Sequence, residues 1–136
     1  MEKYRNTTLL ILAIIALNSC GTKVAFPVSR VQPAANVVST VKKESNGNYL
    51  IKIDAEHLAA PDRLSPPQKY YYTWVEKDEG LPVNIGRLVS KKNNKAALQT
   101  LTPFKPEQIF ITAEGEGEVT VPGNFEVFRS KRIKVK

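Results

Sequence analysis

The 136 residues hold one cysteine, Cys20, and one histidine, His57. A single cysteine forbids an internal disulfide, so the fold must rest on its apolar core. A single histidine without a second cysteine cannot supply the three or four ligands of a zinc site. No metal or cofactor is expected. The longest apolar run, Leu9 to Leu17, is far shorter than the roughly 20 residues needed to span a bilayer as a helix. No stretch has the spacing of a convincing amphipathic helix. The Gly-x-Ser-x-Gly elbow of a serine hydrolase is missing. Only His57 could activate a nucleophile, and it lies in a proline-rich stretch with Asp54 and Asp62 near it in sequence. Paired-carboxylate chemistry needs two placed acids, and Glu114, Glu116 and Glu118 are paired only by sequence. Their glycine-spaced run lacks the Asp and Asn pattern of a calcium loop and reads as a solvated turn. A non-catalytic protein is therefore expected, with a small periplasmic enzyme as the alternative.

What is present begins at the N-terminus. Lys3 and Arg5 precede the apolar run, and Asn18-Ser19 ends it just before Cys20. A basic start, a short apolar core and small residues at its end form a secretory signal pattern. Leu17-Asn18-Ser19-Cys20 resembles the lipobox of bacterial lipoproteins with a type II signal peptide: Leu17, Ser19 and Cys20 match, and Asn18 is a tolerated departure. The resemblance covers residues 1–20. It implies cleavage before Cys20, a thioether-linked diacylglycerol on that cysteine and a further fatty acyl chain, such as palmitate, on the new amino group. Residues 1–19 are then a signal peptide and 20–36 a lipidated tether, with Val24 to Val31 an optional edge strand. Residues 37–136 form the folded domain. The implied location is the cell envelope, lipid-anchored to a bacterial membrane. No acidic cluster follows Cys20, which favours the periplasmic face.

The formal net charge is +7. Losing Glu2, Lys3 and Arg5 with the signal removes two cations and one anion and leaves +6. Such a balance favours membrane lipid and anionic glycan as surroundings. Export removes nucleic acid as a partner.

The mature chain reads as strands and turns. Val37 to Lys43 and Tyr49 to Asp54 alternate on either side of Ser45-Asn46-Gly47-Asn48, a hairpin signal. Val37, Ser39 and Val41 share one face, and Tyr49, Ile51 and Ile53 face the core. Ala55 to Lys69 carries Pro61, Pro66 and Pro67 and reads as a loop with one helical turn at Ala55 to Ala59. Tyr70 to Glu76 is a strand by its aromatic and β-branched density. One of its faces should carry Trp74 into the core, with one tyrosine left exposed. Leu81 to Val89 follows, with Gly86 marking a bulge or close packing. Ala96 to Thr102 and Gln108 to Glu114 alternate again, and Val119 to Pro122 with Phe125 to Arg129 completes the pattern. The tail to Lys136 is an edge strand blunted by lysines or a basic arm.

Seven to eight short strands without a helix argue for an all-β, antiparallel immunoglobulin-like sandwich, with a partly open barrel as the alternative. Residues 70–128 also resemble the extracytoplasmic C-terminal domain of anti-sigma-K-type factors. The motifs are Tyr72-Thr73-Trp74, Asp78-Glu79-Gly80, Val83-Asn84-Ile85-Gly86, Ile111-Thr112-Ala113-Glu114 and Pro122-Gly123. The resemblance implies a fold and an envelope location. It does not imply sigma-factor regulation, since the sigma-binding domain and transmembrane helix of that family are missing.

The function expected is that of an envelope lipoprotein with a binding or structural sandwich. Its partner would be an envelope protein or anionic glycan, met by the loops at one end. The candidate contacts are Tyr71, Lys91, Lys92 and Lys95. Another reading joins Lys91, Lys92 and Lys95 with Arg129, Lys131, Arg132, Lys134 and Lys136 in one electrostatic docking surface for anionic lipid or glycan.

Overall fold

A computed structural model describes residues 21–135. Residues 1–19, expected as a signal peptide, Cys20 and Lys136 lie outside the described residues. Among the described residues no helix is long and apolar enough to cross a membrane.

Nine strands form two antiparallel sheets. In chain order they are β1 (Thr22–Ala25), β2 (Asn36–Lys43), β3 (Tyr49–Glu56), β4 (Tyr70–Glu76), β5 (Val83–Arg87), β6 (Val89–Lys91), β7 (Lys95–Thr102), β8 (Gln108–Glu114) and β9 (Glu126–Arg129). The first sheet runs β1-β2-β3-β7-β6 and the second β5-β4-β8-β9. With β1 set aside, this is the A-B-E-D and C′-C-F-G order of an immunoglobulin-like sandwich.

The β2–β3 hairpin follows its alternation: Val37, Ser39 and Val41 are buried against Tyr49, Ile51, Ile53 and Ala55. Gly47 takes φ 88 in its turn, a value that costs glycine nothing. At Gly86 the β4–β5 register slips, because Thr73 pairs with Gly86 and Trp74 with Asn84, leaving Ile85 as the bulged residue. Ile109, Ile111 and Ala113 of β8 complete the core between the sheets with Val75 of β4 and Val127 and Phe128 of β9.

Several expectations need correcting. Residues 21–36 are not a free tether: the optional edge strand forms at Thr22–Ala25, earlier than Val24 to Val31, and pairs along β2, and Ser29 and Gln32 are buried beyond it. Ser29 Oγ donates to Val127 O at 2.6 Å, which holds this segment against β9. The stretch Leu81 to Val89 is two strands, since the chain crosses between sheets at Leu88, whose N–H donates to Tyr71 O. The short helix is a 3-10 turn at Pro61–Arg63, because β3 continues through Glu56. Residues Val119 to Pro122 form a loop, not a strand. The tail is not a ladder strand or a loose arm: Lys131 N donates to Ala25 O, Ile133 N donates to Glu107 O, and Ile133 is buried.

Trp74 is the largest correction. It is fully buried, but on the outer face of the second sheet, in a separate cluster with Tyr72 and Phe110. The loop 115–125 folds back over this face: Glu118 N donates to the Tyr72 hydroxyl and Asn84 Nδ2 to Val119 O. A buried indole N–H needs an acceptor, and Thr112 Oγ1 of β8 provides one at 2.8 Å. Glu114 is likewise not part of a solvated turn. It is buried and accepts from Thr112 Oγ1 at 2.7 Å and from Gly123 N at 2.8 Å. Glu116 and Glu118 remain exposed.

Candidate recognition pole

The sandwich has two poles. At one, β3 hands over to the loop 57–69, β6 turns into β7 through residues 92–94, and β8 leads into the loop 115–125. At the other lie the turn 44–48, the loop 77–82, the connection 103–107, the tail and the start of β1, where Thr22 pairs with Val41. Eight residues of β3 at about 3.3 Å each set the poles some 26 Å apart.

The proline-rich loop 57–69 is fixed by buried and partly buried hydrogen bonds. His57 takes a left-handed φ of 54 and turns the chain. Leu58 N then donates to Asn94 O at 2.9 Å, tying the loop to the β6–β7 turn. Gln32 bridges two groups: its Oε1 accepts from Ala59 N at 2.8 Å and its Nε2 donates to the Tyr71 hydroxyl at 2.6 Å. Tyr71 in turn donates to Ala59 O at 2.8 Å. Gln68 N and Lys69 N close the loop onto Pro61 O and Glu114 O.

Tyr71 is therefore not a contact residue. It is 3% exposed, inside the core, and its phenol is consumed by Gln32 and Ala59. Burial pushes that phenol above its ordinary range; the hydrogen bond from Gln32 works against the shift and the charge of Asp62 adds to it. His57 is exposed at the rim of this pole.

The three lysines do come together. Lys91 pairs directly with Lys95 across the β6–β7 hairpin, and Lys92 sits in its turn. Asn93 and Asn94 carry φ of 62 and 56, values that asparagine tolerates better than most side chains. Lys95 Nζ stands 3.8 Å from Glu56, with both side chains about half exposed. This pair adds little stability in water. Lys91 and Lys92 are exposed.

They do not join the tail in one surface. The hairpin turns at the loop pole, whereas Ile133 is held by Glu107 at the opposite pole. Arg129 is taken up by Glu76 and Glu126 and lies 4.3 Å from the Phe110 ring centre. The basic residues thus divide between the two ends.

Next to the lysine turn is a cleft of about 250 Å³ that linear reading missed. Lys69, Tyr70, Arg87 and Ser90 give it polar groups, and Pro61 and Leu88 give it apolar wall. The Arg87 guanidinium lies 4.8 Å from the centre of the Tyr70 ring. An aromatic face with a stacked cation, a lysine and a hydroxyl suits a ligand that carries a carboxylate or a sugar ring. The signal was in part local, because Tyr70 shares the parity of Tyr72 and Trp74; its meeting with Arg87 depends on the bulge at Gly86. Among the described residues no three His, Cys, Asp or Glu side chains gather as metal ligands.

No family model, curated protein or solved structure matches the chain.

Proposed function

We propose that the chain is a lipid-anchored protein of the bacterial cell envelope whose sandwich is a non-catalytic binding module. Cys20 carries the lipid, and the loop 57–69, the turn 92–94 and the Lys69–Tyr70–Arg87 cleft face a partner in the envelope. One observation carries this reading. β1 begins at Thr22, two residues after Cys20, at the pole opposite those loops. An anchor at Cys20 therefore presents the lysine turn and the cleft about 26 Å away from the attachment point.

The anchor is tested by feeding cells a clickable fatty acid. Label is expected on the wild-type chain and lost in Cys20→Ala, which should accumulate as precursor. Recognition is tested by photocrosslinking in cells from position 92, with position 99 on the open face of the first sheet as reference. A dominant protein adduct from Lys92 and not Gln99 is expected. Unchanged capture after replacing both 57–69 and 92–94 in a folded chain would refute the assignment of this pole.

A further inference from the structure

The pole where β1 begins has a composition the proposed recognition pole lacks. Gly21 lies against Val41 and Lys42. Tyr49 pairs with Thr102, which sets the turn 44–48 beside the connection 103–107. Glu107 N donates to Glu76 O, which brings the start of the loop 77–82 to the same place. Three large apolar side chains stay uncovered on these elements and the adjoining end of β7: Leu81 at 70% exposure, Leu101 at 58% and Phe104 at 40%. The other exposed large apolar residues among those described, Val28, Val31, Val38, Val89 and Val121, are all valines, with no leucine or phenylalanine among them.

Cations surround this apolar group. Lys42, Lys43 and Lys105 are exposed, and Lys77 Nζ lies 4.5 Å from the Phe104 ring centre. Among the described residues none of the four stands within 4.0 Å of a carboxylate. Lys131, Arg132 and Lys134 of the tail add to them. Glu44, Asp78, Glu79 and Glu107 share the pole, so cations exceed anions there without excluding them. Exposed leucine and phenylalanine set among lysines is the composition of a membrane-interface surface: apolar groups enter the headgroup boundary while ammonium groups meet lipid phosphates. A protein partner fits this place badly. Only Gly21 separates Cys20 from β1, and one extended residue spans about 3.5 Å.

We infer that this pole is a membrane-contact face: Leu81, Leu101 and Phe104 enter the boundary of an anionic bilayer, and Lys42, Lys43 and Lys105 pair with its phosphates. The inference rests on the anchor reading of Cys20. It adds a second attachment, which fixes the orientation of the sandwich and turns the lysine turn outward.

The test uses the full chain purified from bacterial membranes and returned to vesicles of phosphatidylcholine with or without phosphatidylglycerol. Amine-reactive labelling is read by mass spectrometry, with Lys92 as internal reference. In anionic vesicles Lys42, Lys43 and Lys105 should label several-fold more slowly than Lys92. The difference should shrink at high salt, where exposed charges are screened. A folded Leu81→Asp/Phe104→Asp chain should lose the protection. Equal labelling at both poles in anionic vesicles, or protection unchanged in the double variant, overturns the inference. Intact mass separates the two readings. A chain without acyl groups refutes the anchor, and co-sedimentation of that chain with anionic but not neutral vesicles would still support the contact face, whereas no co-sedimentation would overturn it as well.

Discussion

Replacing Thr112 by valine keeps the shape of the side chain and removes one hydroxyl. That hydroxyl is the middle of a buried chain: Trp74 Nε1 donates to Thr112 Oγ1, and Thr112 Oγ1 donates to Glu114 Oε1. Gly123 N donates to the same carboxylate oxygen, which pins the loop 115–125 to β8. In Thr112→Val the indole N–H stays buried without an acceptor, at a cost of about 1–3 kcal/mol. The carboxylate also loses one of two donors, and a hydrogen bond to a charged group is worth about 1.5–3 kcal/mol. The added methyl contact offsets part of this. The expected loss is about 2–4 kcal/mol, a large share of the 5–15 kcal/mol that stabilises a typical domain.

Urea unfolding followed by fluorescence of Trp74, the sole tryptophan, measures it directly. The midpoint should fall with little change in the m-value. A cycle with Glu114→Gln should return a coupling energy of about 1 kcal/mol or more, because the two residues share one hydrogen-bond chain. A loss below about 0.5 kcal/mol, the ordinary range of a surface substitution, would refute the reasoning. The loop would then be held by Gly123 on Glu114, by Val119 and by the aromatic cluster without help from the Thr112 hydroxyl.

Three further outcomes follow from buried groups. Thr73 Oγ1 is buried without a hydrogen-bond partner, so Thr73→Val should raise stability by about 1–2 kcal/mol in the same urea assay. A Cβ on Gly123 would stand 2.8 Å from Glu114 Oε2; Gly123→Ala should cost about 1–3 kcal/mol, and much less in a Glu114→Ala background. Burial raises the Tyr71 phenol above its ordinary value near 10, so the unfolded chain releases that proton first. Stability should therefore fall as pH rises through and above about 10; Tyr71→Phe should flatten that slope while lowering stability at neutral pH, and an unchanged slope in alkaline melts would count against it.

Period-two alternation was enough for β2, β3, β7 and β8, because each has one apolar and one polar face or a clear apolar majority on one side. In β4 the parity was legible but the direction was not. Tyr70, Tyr72 and Trp74 share one face and Tyr71, Thr73 and Val75 the other, and both faces are apolar enough for a core. The choice is made by the loop 115–125, which returns across more than forty residues to cover the first set. Tyr71 misled for the same reason, since Gln32 and Ala59, its hydrogen-bond partners, are distant in sequence. β1 has four residues and little alternation; its existence follows from the exposed edge of β2. Lys91 and Lys95 were readable as neighbours because hairpin geometry is local. Their separation from the tail was not, because that depends on which pole each chain reversal occupies.

An antibody-type sandwich packs the tryptophan of its third lettered strand on an inter-sheet disulfide. Here Trp74 stands on the corresponding strand, β4, but faces away from the other sheet. The cluster of Tyr72, Trp74 and Phe110 takes over a stabilising role. Burying one large apolar side chain contributes about 1.5–3 kcal/mol, so three contribute roughly 5–9 kcal/mol, against about 2–4 kcal/mol for a typical disulfide. β4 and β8 are buried on both faces as a result, from Tyr71 to Val75 and from Ile109 to Glu114. This assigns different duties to the loops of the proposed recognition pole. The loop 115–125 covers a core and is not free to vary, whereas the turn 92–94 covers nothing. Replacing residues 116–122 by a glycine-serine linker should expose the cluster and lower the thermal midpoint by about 10 °C or more, on the basis of several degrees per kcal/mol. The same replacement at 92–94 should cost little beyond the backbone bond from Leu58 to Asn94. Equal losses from the two replacements would mean that the outer cluster does not stabilise the sandwich.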